Sequence, residues 1–188
     1  MNFFKRLFGF GGSSAPQTGK VEDPLLVYGR SIKIPAIAGP FVVRDHLKVN
    51  TDANAGAIIS DVGKNFQRWF YDLVEPQSSE ITIDTAILKK RSSDTPIILY
   101  LGGEETIAIN MAQAYDPLKR QGSGQSGPLI TDGFTVRFYS PDVNKIIREV
   151  IFYWRDGAWL IGAMEANMPC SLPEGHQYLA ARKVEPPK

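Results

Sequence analysis

The side chains with the clearest potential for covalent or metal chemistry are one cysteine and two histidines. Cys170 and His176 lie six residues apart in a stretch rich in proline, and His46 directly follows Asp45. A nucleophilic site needs a base within hydrogen-bonding distance of the nucleophile, and this spacing does not suggest one. Adjacent residues of a strand point to opposite faces, so Asp45 and His46 cannot bind one metal ion as a pair. The sequence therefore predicts neither a catalytic nucleophile nor a metal site.

The carboxylates give no stronger signal for acid–base chemistry. Glu104 and Glu105 lie at a turn, where two charged side chains are best interpreted as solvated. Asp84 and Asp94 remain open as general acids or bases, although nothing around them in the sequence selects them. We therefore predict a protein that is not an enzyme and that uses no cofactor.

Three glycines spell the dinucleotide-binding pattern G-x-G-x-x-G: Gly122, Gly124 and Gly127. That motif binds a pyrophosphate only where it ends a strand and opens a helix. Here Lys119 and Arg120 precede it, Pro128 follows it at once, and the next apolar run has the pattern of a strand. The sequence predicts a surface loop, with Lys119 and Arg120 as a weak indication of anion binding.

Aromatic residues are concentrated in two short stretches and one further position: Trp69, Phe70, Tyr71, Phe152, Tyr153, Trp154 and Trp159. Because successive residues of a strand face opposite sides, the aromatic run 152–154 cannot enter one core as a whole. Either the exposed rings are covered by the N-terminal arm, or they form a contact surface, since Tyr and Trp are enriched at binding hot spots. The candidate interaction patch consists of Tyr153, Trp154 and Trp159.

The first ten residues form an amphipathic segment. Four apolar side chains share one helical face, with two cations on the other: Phe3, Phe4, Leu7 and Phe8, with Lys5 and Arg6 opposite. A Gly- and Ser-rich linker at 11–16 follows. Three interpretations remain open: the segment lies in a membrane interface, docks into a groove of a partner protein, or folds back on its own domain.

Composition restricts the environment and the partners. The chain has 21 basic and 20 acidic side chains, so its net charge gives no reason to expect nucleic acid as a partner. A single cysteine excludes an intrachain disulfide and fits a reducing compartment. No stretch approaches the roughly 20 apolar residues that span a bilayer. We expect a cytoplasmic protein, either free or peripheral to a membrane.

Apolar periodicity predicts the elements of the first half of the chain. Residues 17–40 have the composition of an extended arm with one edge strand, and 41–50 alternates as a strand does. A long amphipathic helix is predicted over 53–74, because apolar residues recur there at helical spacing. Pro76 would end it.

The second half is predicted to be rich in strands. We expect strands over 80–89, 96–101, 134–139 and, at the C-terminus, 177–183. Asp156-Gly157 between two apolar runs predicts a hairpin that joins strands at 146–155 and 158–165. Two stretches also fit helices: 104–118, where a strand ending before Asn110 is preferred, and 142–154.

These elements predict an α+β protein in which a curved antiparallel sheet, a meander of about five or six strands, packs on one long amphipathic helix. The predicted parts are an amphipathic N-terminal segment (1–12), a flexible linker and extended arm (13–40) and a single α+β domain (41–184). This order of elements resembles, in outline, the cystatin-like and nuclear-transport-factor-like folds.

The leading functional hypothesis is a non-enzymatic protein-binding domain tethered by its N-terminal segment, either a small subunit of a larger assembly or an immunity-type inhibitor. Two alternatives are kept. One is a small-molecule-binding or hydrolytic domain with its pocket between helix 53–74 and the sheet. The other is a peripheral membrane protein attached through residues 1–10.

Overall fold

The computed structural model describes residues 23–52, 54, 56–168 and 171–182. Two predictions concern residues outside these ranges, namely those for the amphipathic N-terminal segment and for the cysteine. The side chains involved are Phe3, Phe4, Lys5, Arg6, Leu7, Phe8 and Cys170.

The described residues contain nine strands in two sheets. Their bounds are β1 (Leu26–Ile34), β2 (Phe41–Val42), β3 (Ile59–Val62), β4 (Val74–Glu75), β5 (Ile81–Leu88), β6 (Thr135–Pro141), β7 (Ile147–Arg155), β8 (Ala158–Glu165) and β9 (Gln177–Ala181). Seven of them form one sheet in the order β1-β5-β9-β6-β7-β8-β3, and β2 pairs with β4. The large sheet is mixed, because β6–β9 and β3–β8 are parallel pairs and the others are antiparallel.

Helices pack on both faces of this sheet. They are α1 (Val43–His46), α2 (Lys64–Phe70), α3 (Asp94–Leu101), α4 (Glu104–Ile107) and α5 (Met111–Arg120). One hydrophobic core lies against α2 and α5, and a second lies against α3 and α4. None of the described helices has the length and apolar character needed to cross a bilayer. The predicted α+β class is confirmed, whereas the sheet is mixed and more than one helix covers it.

The long helix predicted over 53–74 is wrong: the structure has β3, α2 and β4 in that stretch. Ile59 and Val62 are buried, but they belong to a strand that pairs in parallel with β8. The pairing continues into Gly63, whose N–H donates to the Ile161 carbonyl at 2.8 Å. A Cβ at Gly63 would lie 3.4 Å from that same oxygen. Pairing with a distant strand, which local periodicity does not record, therefore overrides the helical pattern before residue 64.

The strand predicted over 41–50 is also wrong beyond β2. Val43 and Leu47 are both fully buried, and the Leu47 N–H donates to the Val43 carbonyl at 2.9 Å. Two apolar residues four apart share one side of a helical turn, so α1 and its C-terminal cap, Leu47, bury both side chains. The alternation of 41–47 fitted a strand equally well.

The strand predicted over 96–101 is helix α3. It begins after Ser93, carries Pro96 in its first turn, where proline is tolerated, and ends at Gly102. Gly102 has φ of 119°, and the amides of Gly102 and Gly103 donate to the carbonyls of Leu99 and Ile98. These are standard helix start and stop signals. The strand was predicted because a short apolar run such as 96–101 also fits a buried strand.

The stretch 104–118 is helical as well, and the strand preferred there is wrong. Helix α5 begins after Asn110, which forms a capping box with Gln113. The two carboxylate oxygens of Glu75 accept the N–H groups of Met111 and Ala112 at 2.7 and 2.8 Å. The four free amides at the start of α5, those of residues 110–113, are thereby satisfied, two of them by a residue on β4.

The other strand predictions are confirmed. Strands β5, β6 and β9 lie within a residue or two of their expected positions, and β7 and β8 form the predicted hairpin. Its turn residues Asp156 and Gly157 have φ of 52° and 82°, as a type I′ turn requires. Strand β1, expected in the arm, is an edge strand of the large sheet.

Candidate functional site

The predicted patch of Tyr153, Trp154 and Trp159 is not one surface. Trp159 is fully buried, and its indole N–H donates to the Gln121 carbonyl at 3.1 Å. Trp154 lies directly opposite Trp159 in the hairpin register, so both rings face the same side of the sheet, 5.2 Å apart. Tyr153 faces the other side and is half-buried. The hairpin register therefore turns the two tryptophans toward the core, which rules out Trp159 as a contact residue.

The glycine pattern lies in the loop between α5 and β6, so the next described element after it is a strand. Gly124 has φ of 67° and lies against the Trp154 ring: a Cβ there would be 2.1 Å from ring carbons. Gly122 lies against the backbone of Gly56 and Ala57. At these two positions glycine permits close packing, in a context that differs from a dinucleotide site.

The two histidines lie in different surroundings. His46 stacks on Phe41 with ring centroids 4.4 Å apart, and burial lowers its pKa. His176 accepts the backbone N–H of Thr135 through Nδ1 at 3.2 Å. Burial, with a smaller contribution from the charge of Arg137, lowers the pKa of His176 to about 4, so the ring is neutral at pH 7. Each imidazole is held by local packing.

Asp94, which the sequence did not distinguish, is buried at the first position of α3. Its carboxylate accepts the Tyr139 hydroxyl at 2.7 Å and the Asn167 backbone N–H at 3.1 Å. Tyr139 is fully buried, and burial together with the Asp94 charge raises its pKa. These bonds join α3 to β6 and to the segment after β8. The alternation of Thr135, Arg137 and Tyr139 on one face of β6 was the signal in the sequence for a polar layer on this side.

A second buried chain of polar groups continues along the same face of β6. Arg137 donates through Nη1 to Glu149 Oε1 at 2.7 Å and through Nε to Thr135 Oγ1 at 2.8 Å. Thr135 Oγ1 lies 2.8 Å from His176 Nδ1. Burial raises the pKa of Glu149, and the nearby guanidinium partly opposes this. Arg137 and Glu149 are almost completely buried, whereas Thr135 and His176 are half-buried. This chain therefore connects β6 and β7 in the interior with the segment before β9 nearer the surface.

The outer side of α3 carries exposed apolar residues. Leu99 is 69% exposed and Tyr100 is 41% exposed, although Ile97, Ile98 and Leu101 are buried. Tyr28 of β1 is 53% exposed and stacks on Tyr100, with ring centroids 6.5 Å apart. We call Tyr28, Leu99 and Tyr100 the β1–α3 surface. A globular helix normally presents polar residues to solvent, so an apolar outer side is a departure that needs an explanation.

Hydrogen bonds to neighbouring elements fix the position of the β1–α3 surface. The Tyr100 hydroxyl donates to the Leu26 carbonyl at 3.1 Å, which joins the helix to the edge strand. Asp94 fixes the other end of α3 through its bonds to Tyr139 and Asn167. The sequence signal for this surface was the uninterrupted apolar run 97–101. In a helix, such a run places apolar side chains on the outer side as well as toward the core.

Comparison with protein-family models, with curated proteins and with solved structures gave no significant match for this chain. Its function must therefore be inferred from the burial, contacts and charges of its own residues. Within the described ranges, no three His, Cys, Asp or Glu side chains are grouped so as to hold a metal ion.

Proposed function

We propose that this chain is a non-enzymatic protein-binding domain, and that its contact site is the β1–α3 surface. The observation that carries the proposal is the outer side of α3, where Leu99 and Tyr100 are exposed and Tyr100 stacks on the exposed ring of Tyr28. Contiguous apolar groups on a soluble domain commonly mark interaction sites. The occupant is an apolar surface of another protein chain that covers Leu99 and both rings.

The composition of this surface suits a binding hot spot. Tyrosine presents a large apolar ring with few rotatable bonds, and Tyr is enriched where interfaces derive most of their affinity. Because Tyr100 is already bonded to Leu26 and stacked on Tyr28, little side-chain freedom is lost when a partner binds. A rigid, apolar and exposed group of this kind favours protein binding over a purely structural role.

The N-terminal segment (1–12) completes the proposal as a tether. Its support is the sequence pattern alone: four apolar side chains opposite two cations, followed by a flexible linker. Either a small subunit of a larger assembly or an immunity-type inhibitor would combine such a tether with a folded contact domain.

The experiment is site-specific photo-crosslinking in cells of the native host. A photoreactive residue at position 99 is expected to capture one defined protein of a different mass. The matched control is position 74, because Val74 is also exposed (56%) but lies on β4. The complex should be lost in the variant Leu99→Ser and retained in Val74→Ser. Crosslinks of equal yield from both positions, or a crosslink only to a second copy of this chain, would contradict the proposal.

The tether is tested separately with a variant that starts at Lys20. If the segment contributes to partner binding, this variant loses affinity while the crosslink from position 99 keeps its target. If the variant instead loses only its flotation with liposomes, the segment is a membrane anchor.

A further inference from the structure

A cleft of about 410 Å³ opens between the middle of β1 and the loop that joins α5 to β6. Its volume falls in the range of sites for small ligands. None of the residues that line the cleft belongs to the β1–α3 surface. Two separate structural features position its walls.

The first feature is a β-bulge in β1. The pairing with β5 shifts register between Tyr28 and Ser31, which places Gly29 and Arg30 in the bulge. The buried hydroxyl of Thr85 fills it: this oxygen accepts the Arg30 N–H at 2.9 Å and donates to the Arg30 carbonyl at 3.1 Å. Bulges redirect side chains, and here the Arg30 guanidinium reaches the loop, 3.4 Å from the Gly127 carbonyl.

The second feature is a set of hydrogen bonds from two glutamine side chains, which fix the opposite wall. The side chain of Gln121 accepts the Leu129 N–H at 3.0 Å and donates to the Leu129 carbonyl at 2.8 Å. Gln177 of β9 accepts the Ile130 N–H at 3.2 Å and donates to the Pro128 carbonyl at 2.9 Å. Both glutamines are almost completely buried. A Gly- and Ser-rich loop would otherwise be mobile, so these four bonds preorganise it.

The cleft presents one positive and one negative group. Arg30 and Asp132 both line it, and neither forms an ion pair with any residue that the structure describes. Apolar wall is supplied by Ile87 and Ile130. A ligand that carries a carboxylate, an ammonium group and an aliphatic part would match all three features, because each charge would meet its opposite.

We propose that this cleft binds a small zwitterion of the amino-acid type. Its carboxylate pairs with Arg30, its ammonium group with Asp132, and its aliphatic part contacts Ile87 and Ile130. The ligand would be recognised by its two charges together, and a simple anion would be repelled by Asp132. This site adds a small-molecule ligand to a domain for which protein binding is proposed at a different surface.

The test is a titration of the full chain followed by two-dimensional amide NMR, with L-leucine as the probe. Leucine is expected to shift the resonances of 126–132 in a saturable manner. N-acetyl-leucine lacks the ammonium group and leucinamide lacks the carboxylate, so each should bind about tenfold more weakly, equivalent to one charge-assisted hydrogen bond.

Charge-removing variants assign each contact. Arg30→Gln should abolish the preference for leucine over leucinamide, and Asp132→Asn should abolish the preference for leucine over N-acetyl-leucine. The matched controls are Arg155→Gln and Asp156→Asn, which remove an exposed pair of the same residue types in the β7–β8 turn and should change neither preference. Dispersed spectra show that each variant is folded.

Two results would overturn the proposal. One is the absence of any saturable shift with leucine in the wild-type chain. The other is binding of N-acetyl-leucine or inorganic phosphate as tight as that of leucine, which would identify a simple anion site.

Discussion

Asp94 and Tyr139 form a buried hydrogen bond between a helix and a strand that are far apart in sequence. If the tyrosine hydroxyl is removed, one carboxylate oxygen of Asp94 loses its partner in a site that is almost inaccessible to water. Such a loss destabilises a protein by about 1–3 kcal/mol, whereas removal of both polar partners is less harmful. The bond should therefore matter for stability mainly because its loss would leave the Asp94 carboxylate oxygen buried without a partner.

We expect Tyr139→Phe to lower the free energy of unfolding by about 1–3 kcal/mol in urea titrations. Tyr153→Phe is the matched control, because the half-buried Tyr153 makes no hydrogen bond through its hydroxyl in the described structure. In the double variant with Asp94→Asn, the two losses should not add, since both affect one bond. Additive losses, or equal effects of the two Tyr→Phe changes, would show that the bond contributes nothing specific.

His176 gives a prediction about pH. Its folded-state pKa is lowered to about 4, below the ordinary value of 6.5, so the unfolded chain binds the proton more readily between these values. The stabilisation is therefore present above pH 6.5 and is lost as the pH falls towards 4. Allowing for solvent screening of a half-buried ring, about 1 kcal/mol should be lost between pH 7 and pH 5.

The measurement compares urea unfolding of the wild type and of His176→Gln at the two pH values. The variant should lose about 1 kcal/mol less stability than the wild type on acidification. Because carboxylates such as Glu149, whose pKa is raised, act in the opposite direction, the difference between the two proteins is the informative quantity. Identical pH profiles would mean that His176 is not the responsible group.

Among the loops, the one between α5 and β6 allows a steric effect to be separated from a backbone effect. Gly124 and Gly133 both have positive φ, at 67° and 94°. A Cβ would meet the Trp154 ring at Gly124, but nothing within 4 Å at Gly133. The two glycines differ in the space around them and share the requirement for a left-handed backbone.

Gly133→Ala should lower the free energy of unfolding by about 1 kcal/mol, the usual penalty for a non-glycine residue at positive φ. Gly124→Ala should lower it by about 1–3 kcal/mol more, because the indole of Trp154 must move. Chemical denaturation followed by tryptophan fluorescence measures both losses. The emission of the native state should change in Gly124→Ala, where Trp154 moves, and should not change in Gly133→Ala. Equal losses would argue against close packing of Trp154 on this loop.

Helix α5 depends on a carboxylate that is distant in sequence. Glu75→Gln retains one acceptor oxygen but places an NH₂ group against a backbone N–H, so we expect a loss of about 1–3 kcal/mol in urea unfolding. Asn110→Ala, which removes the local cap of the same helix, should cost about 1 kcal/mol. If Glu75→Gln lowered the free energy of unfolding less than Asn110→Ala does, the local cap would be the main stabilisation at the start of α5.

Elements whose signals are local could be predicted from the sequence, and those that depend on distant partners could not. Asp156-Gly157 defined the β7–β8 hairpin, because the turn type is encoded in two residues. The helix expected at 53–74 failed because β3 pairs with β8, almost a hundred residues later in the chain. The stretch of helix α5 also fitted a helix, and its capping box is local, but a strand was preferred there. The second cap, from Glu75 on β4, comes from a distant residue and leaves no local signal.

At the scale of the whole molecule, the position of β9 organises the large sheet. Strand β9 is the last described strand, yet it lies in the interior of the sheet between β5 and β6. It joins the β1–β5 pair to the four strands β6, β7, β8 and β3. The two parts of the sheet therefore become continuous only when the residues near the C-terminus are in place.

A chain that ends at residue 175 should lack cooperative unfolding and dispersed amide resonances, because its sheet is divided. A chain that ends at residue 182 retains every described strand and should unfold cooperatively. Circular dichroism during thermal unfolding distinguishes the two. A cooperative transition in the shorter chain would show that the two parts associate without β9.

The strand order also explains why the candidate site was not predicted. The β1–α3 surface combines Tyr28 with residues about seventy positions later, and the sequence placed those later residues in a strand. The patch of Tyr153, Trp154 and Trp159 was predicted from residue type, and burial removes Trp159 from it. Only the antiparallel order of β6, β7 and β8 followed from sequence adjacency.

The arrangement of β1, β5 and β9 has a mechanical consequence. Strands β1 and β9 both run antiparallel to β5, so they point in the same direction on either side of it. The start of β1 lies beside Leu88, whereas Ala181 of β9 lies beside Ile83, near the other end of β5. A stretching force applied between residues 23 and 182 would slide the three strands along one another. Because ladder hydrogen bonds lie perpendicular to the strands, that force would load them together and would not peel them apart one by one.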